Sequence, residues 1–365
     1  MFRSFHTLLF LLAVLTVSAG CRRTAPPSIA PSEEVLKLTE GVEDAEELQI
    51  IEQLQDQIAS VLRREAGTPD KPLMLGQPEG DQTRLMNGYA LYTQYCTQCH
   101  GVNGDGNGPV AKYLEPKPRD YTRGVFKFTS TPYGSKPRRS DLMHTIRHGV
   151  TGTSMPSFDR FSDEQLEAVV DYVLVLALRG ELERELAMIA FDDEEVPDDE
   201  VIEEIVTDTI GPWEQSANQL VMPVTMMPPM TDDSVLAGHQ LFLKFACNKC
   251  HGKFGRGGSM GNVDVGTDVW GNKAAAADLS SGMFRGGGSP IDIYRRIYSG
   301  INGTPMPAFE KTFQEDPDAI WRLVHFIRAT GERRRQGKAP LSEADLPDEP
   351  PAEVKEPEEQ SDAAA

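Results

Sequence analysis

The chain has 365 residues, more than one hydrophobic core ordinarily holds, so two domains with accessory segments are expected. Its 56 acidic and 36 basic residues give a formal net charge of −20, which argues against a nucleic-acid partner. The acid is not spread evenly. Residues 33–65 carry 10 acidic and 3 basic groups, residues 181–233 carry 16 and 1, and residues 336–365 carry 9 and 2. Residues 81–180 and 234–335 instead hold 12 basic against 10 acidic and 14 against 9. Two mildly basic domains joined by acidic segments follow from these counts.

Residues 1–20 open with Arg3, an apolar run from Leu8 to Val17 and small residues before Cys21, the pattern of an export signal peptide. That run has about half the length a bilayer span needs, so a retained membrane helix is the weaker reading. Cys21 stands apart, because the other four of the five cysteines fall in two C-x-x-C-H units. Ser18-Ala19-Gly20-Cys21 resembles a bacterial lipoprotein cleavage site, with Ser18 departing from the leucine-like residue usual there. The resemblance implies lipid at Cys21 and a place on the periplasmic side of a bacterial membrane. A soluble exported form is the alternative. Residues 21–80 are expected to form a stalk, in which Leu48, Ile51, Ile58 and Leu62 predict an amphipathic helix that packs on the first domain or on another subunit.

A first domain is expected over residues 81–180. Gly88-Tyr89-Ala90-Leu91-Tyr92 reads as a helix leading into Cys96-Thr97-Gln98-Cys99-His100, and Gly- and Pro-rich loops follow. A helix carrying His144 and His148 precedes the loop Gly152-Thr153-Ser154-Met155-Pro156. Ser162 and Gln165 then form a capping box before Leu166, Val169, Val170 and Val173. Residues 181–233 are expected to begin as a continuation of the first domain's last helix and then to become an acidic linker, a solvated spacer or a docking strip for a basic partner or for the basic haem domains themselves. Within it, Met222, Met226, Met227 and Met230 are expected to pack on an apolar face, copper binding being the weaker alternative.

The second domain, residues 234–335, repeats the first. Cys247-Asn248-Lys249-Cys250-His251 and Gly303-Thr304-Pro305-Met306-Pro307 both lie 151 residues after their counterparts, so the histidine-to-methionine interval is 55 in each copy. Asp316 and Pro317 predict the start of its last helix. His144 and His148 are matched by Arg295 and Ser299, and His239 and His325 have no counterparts, so none of the four is expected to be a ligand. The tail, residues 336–365, is expected to be disordered.

The motif chemistry selects among three readings. Zinc needs a fourth ligand, and no repeated residue supplies it. A redox dithiol belongs at a helix start in a βαβ pattern that is missing here. Covalent haem uses two thiols at this spacing for its two vinyl groups and places the next residue, histidine, under the iron. Met155 and Met306 then offer thioethers from Pro-bracketed loops. Arg119 and Arg285, in KPRDYTRG and LSSGMFRGG, are candidates for a propionate.

In these residues the chain resembles the class I c-type cytochromes over roughly residues 81–180 and 234–335. The resemblance implies an all-α fold of two tandem haem domains with two covalently bound haem c groups. Cys96, Cys99, Cys247 and Cys250 would hold the porphyrins; His100, Met155, His251 and Met306 would bind iron. Single-electron transfer in a respiratory chain follows, between a membrane donor complex and a downstream oxidase or soluble acceptor. The stretch PRDYTRGVFKFTSTPYGSKPRRSDL with TGTSMPSF also looks like cytochrome subunits of quinol-oxidising assemblies such as alternative complex III. The competing expectation is an enzyme of the dihaem peroxidase type, against which two matching methionine loops argue.

Overall fold

The computed structural model describes residues 31–37, 40–77, 79–257, 264–339 and 342. The expected signal segment, Cys21 and nearly all of the expected disordered tail lie outside them. Among the described residues no helix is long and apolar enough to cross a membrane.

The chain begins with a short helix α1 (Glu33–Lys37) and the predicted amphipathic helix α2 (Ala45–Glu65). Asp44 caps α2, its carboxylate accepting from the backbone N–H groups of Glu46 at 2.8 Å and Glu47 at 3.0 Å. Ile51, Leu54, Ile58, Val61 and Leu62 form its buried stripe. A two-residue antiparallel pair, β1 (Gly67–Thr68) with β2 (Lys71–Pro72), turns the chain into α3 (Gln82–Tyr95) and the one-turn α4 (Thr97–His100). Loops then lead to α5 (Arg139–His148) and to α6 (Asp163–Asp193), whose start is the predicted capping box between Ser162 and Gln165.

Helix α3 crosses α6 at Gly88. A Cβ at that position would stand 2.1 Å from the carbonyl oxygen of Ala168, so only the lack of a side chain lets the two backbones meet. Beside the crossing Tyr92 is 1% exposed, stacks obliquely on Tyr172 at 5.1 Å, and donates its hydroxyl to the Gly101 carbonyl at 2.9 Å. The end of α3, and with it the first cysteine, is thereby fixed to α6. Asp171 on α6 ties in a third helix: its carboxylate, 3% exposed, meets Arg84 of α3 at 2.5 Å and Arg139 of α5. Asp171→Asn is expected to lower stability by about 1–2 kcal/mol, because it removes a buried anion from two cations that are themselves half in water. A urea titration checks this, and an unchanged midpoint would show the trio to be energetically idle.

Residues 181–216 correct the expectation of a solvated linker. Helix α6 runs on to Asp193, and α7 (Asp199–Ser216) folds back beside it. Leu182, Leu186, Ala190, Ile202, Ile205 and Val206 join Leu54, Ile58 and Leu62 of α2 in one core. Most of the acid lies on the outer faces, with Glu183 a buried exception that pairs with Arg179 at 3.3 Å, and the buried residues recur at helical spacing between the charges. The amphipathic α2 therefore packs on the extension of the first domain. The methionines also depart from expectation: Met222, Met226, Met227 and Met230 are 63%, 92%, 43% and 47% exposed, while the backbone of 221–225 is what docks. Val221 N–H donates to Ser130 O at 2.8 Å, and Trp321 Nε1–H to Thr225 O at 3.0 Å.

The second half repeats the plan with α8 (Asp232–Lys244), α9 (Asn248–His251), α10 (Pro290–Tyr298) and α11 (Asp318–Arg335). Here Gly238 of α8 meets α11, a Cβ there lying 1.9 Å from Arg322 O. Pro317 occupies the cap position of α11, one residue earlier in the helix than expected, and Asp316 pairs with Arg322 in place of capping. Phe242, Tyr294, Trp321, Val324 and Phe326 fill the core. The molecule is therefore all-α, with two small helical domains built alike around loop-rich interiors.

Candidate functional sites

Both C-x-x-C-H motifs form a single helical turn directly after the helix that crosses at a glycine. In the first, His100 N–H donates to Cys96 O at 2.9 Å and Gly101 N–H to Thr97 O at 2.9 Å. The matching bonds from His251 to Cys247 and from Gly252 to Asn248 measure 2.9 and 2.8 Å. The turn puts both cysteines and the histidine on one side of the chain. Gly101 and Gly252 end it at φ of 75° and 71°, where a side chain would be strained.

Each histidine is oriented in the same way. His100 Nδ1 lies 3.0 Å from Arg119 O, and His251 Nδ1 lies 3.0 Å from Ala277 O. A carbonyl only accepts, so Nδ1 carries the proton and Nε2 keeps its lone pair, the state a metal-binding imidazole needs. Tyr121 stacks on the His100 ring at 4.7 Å. Burial pushes the His100 imidazole down to about 4 and lowers that of His251, so both stay neutral at physiological pH. Burial also pushes the thiol of Cys96 up to about 12 and that of Cys247 up to about 11. All four motif cysteines are unpaired thiols.

The methionine loops match bond for bond. Val150 N–H donates to Met155 O at 3.2 Å and Phe158 N–H to Ile146 O at 3.2 Å; Ile301 to Met306 and Phe309 to Ile297 give 3.1 and 3.2 Å. Met155 N–H and Met306 N–H each donate to the threonine hydroxyl two residues earlier, at 3.1 and 3.2 Å. Gly149 and Gly300, with φ of 66° and 65°, lie so close to the loop that a Cβ would sit 2.7 Å from the methionine carbonyl.

In the first half these parts converge. Cys96, Cys99, His100 and Met155 line one cavity, about 1400 Å³ including its open mouth, whose other walls include Phe126, Ile146, Phe158 and Val173. Two thiols, an imidazole with Nε2 available and a thioether, set in an apolar chamber of this size, fit a covalently attached haem. Arg119 and Arg285 both line this same cavity, although Arg285 belongs to the second half. His144 and His148 sit on the exposed face of α5 with rings 4.2 Å apart, and no group of three or more His, Cys, Asp or Glu residues suited to a metal exists among the described residues. His239 Nε2 lies 2.9 Å from Lys253 O and His325 Nδ1 lies 2.9 Å from Ser234 Oγ, and neither residue lines the first cavity.

A family model described as cytochrome c oxidase, cbb3-type, subunit III matches residues 83–173 and again residues 233–327. A solved structure, the reducing HAO-like protein complex of Kuenenia stuttgartiensis, holds a chain 31% identical to this one. That alignment covers 67% of this chain and 95% of the other, with a TM-score of 0.52. Comparison with curated proteins returns no match. Because the two matched regions carry the two C-x-x-C-H motifs and span half of the chain, the protein belongs to the class I c-type cytochrome family, electron-transfer proteins with covalently bound haem c.

Proposed function

We propose that the chain holds two haem c groups: Cys96 and Cys99 would hold one, with His100 and Met155 binding its iron, and Cys247 and Cys250 would hold the other, with His251 and Met306. It passes single electrons from a membrane-bound, quinol-oxidising donor complex to an oxidase or soluble acceptor, tethered at the periplasmic face through lipid on Cys21. The observation that carries this reading is the hydrogen bonding shared by both methionine loops, in which the methionine carbonyl accepts from Val150 or Ile301 and the methionine N–H donates to Thr153 or Thr304. A haem supplies an iron that changes by one electron, and methionine ligation favours its reduced form. The protein's own part is to keep each histidine neutral and oriented and to wall the site with apolar groups. With both His100 and Met155, and both His251 and Met306, bound to iron, neither iron would have a position left for a substrate, as a carrier requires.

Likeness to a chain of an HAO-like complex supports a fixed place in a redox assembly over free diffusion. Carbon monoxide distinguishes carrier from peroxidase-type enzyme. The reduced, haem-loaded protein is expected to show no carbon monoxide spectrum within minutes; rapid binding at one haem would replace the carrier reading with the enzymatic one.

A further inference from the structure

The second half of the molecule contributes Arg285 to the lining of the first cavity, and the Lys, Arg, Asp and Glu residues of that lining are all cations. Arg119 and Lys127 come from the first half and Arg285 from the second. The surrounding contacts hold the halves together at this place. Lys127 Nζ lies 2.9 Å from Asp268 Oδ2, Arg123 donates to Val269 O, and the Arg119 guanidinium lies 3.6 Å above the Trp270 ring. Further along, Gly134 N–H donates to Asn302 Oδ1 at 2.8 Å and Arg296 to Thr129 O at 2.8 Å.

The charges at the mouth do not balance. Burial disfavours the protonated form of Lys127, and the charges of Arg119 and Arg285 add to that effect. Asp268 pairs directly with Lys127 and reaches Arg119 only at longer range, and Asp120 is engaged by Arg123 at 3.6 Å and by Thr122. Neither Arg119 nor Arg285 has a carboxylate within 4.0 Å among the described residues, and burial pulls the Arg119 guanidinium down to about 10. Trp270 Nε1, next to this cluster, is a buried donor with no acceptor. The lining of the cavity holds four cations, these three and Lys117, and no carboxylate, and most of its remaining walls are apolar. Repulsion of this kind is tolerated where an anion of matching charge binds.

We infer that the second half completes the first half's cofactor site: Arg285, together with Arg119 and Lys127, binds the two propionate carboxylates of the haem attached at Cys96 and Cys99. The inference rests on the presence of that haem. It makes the cofactor of one half an ionic link to the other, so occupancy of the first site and docking of the second half reinforce each other. It also makes Arg285 a determinant of the first haem's potential, since a cation beside the propionates favours the reduced, less positive iron.

The test uses full-length, haem-loaded protein with Arg285→Gln and Arg285→Lys. Arg285 is exposed at the mouth, so neither change disturbs a core. Spectroelectrochemical titration is expected to show one midpoint lowered by Arg285→Gln and nearly restored by Arg285→Lys, the other unchanged. The midpoint that moves must be the one that Met155→Ala moves. A shift confined to the other midpoint, an equal shift of both, or no shift overturns the assignment. Failure of the underlying reading looks different: wild-type protein would then carry no haem at Cys96 and Cys99 by mass spectrometry of its peptides.

Discussion

Met155→Ala is expected to lower one of two midpoint potentials by on the order of 100–300 mV, within the ~0.8 V that axial ligands span, and to leave the second nearly fixed. The loop survives the substitution because main-chain bonds and the Thr153 hydroxyl hold it, with Met155 contributing its carbonyl and N–H. Water or no ligand replaces a thioether that had favoured the reduced iron, and the potential falls. Met306 sits on its own loop, held by its own Ile301 and Thr304 bonds, so the other haem has no reason to follow. Met306→Ala should give the mirror result. Potentiometric titration of each variant decides the matter, and equal movement of both midpoints would contradict independent ligation.

The repeat made most of this architecture legible before any coordinates. Two motif pairs at one offset locate both sites, and the Ser162 and Gln165 capping box fixes where α6 begins. What stayed hidden was of two kinds. The carbonyls that orient the histidines, Arg119 O and Ala277 O, lie 19 and 26 residues beyond them, so neither side-chain identity nor the repeat marks them. Acidic residues masked the apolar stripe of Leu182, Leu186, Ile202 and Ile205, because charge was counted by segment and burial depends on face. Arg285 belongs to a third category. Its neighbours in sequence place it in the second domain, but the packing of the halves sends it to the first cavity.

The glycine crossings are where stability is most exposed to a single methyl group. In an isolated helix Gly→Ala is favourable by about 1 kcal/mol, and neither Gly88 nor Gly238 has a backbone conformation that would resist it. The sign is reversed by what stands opposite. A Cβ at Gly88 meets Ala168 O at 2.1 Å and one at Gly238 meets Arg322 O at 1.9 Å, and both obstacles are backbone, which cannot rotate away. Relief requires the helices to separate, which loosens the Tyr92 to Tyr172 contact and its second-half analogue, Phe242 against Phe326 at 5.1 Å. Overpacking costs roughly 1–3 kcal/mol where side chains can adjust, so against fixed backbone about 3 kcal/mol or more is expected for either variant. Asn87→Ala, exposed one residue away on α3, should move stability by no more than about 0.5 kcal/mol. Because α3 delivers Cys96 and α8 delivers Cys247, each glycine variant should also be matured with less haem in its own half, while haem already attached stays on through the melt because its thioether bonds survive unfolding. Thermal melts followed at the haem absorbance, with haem peptides counted for each half, separate these outcomes. A Gly88→Ala protein that melts like wild type would mean the two helices do not cross at this glycine.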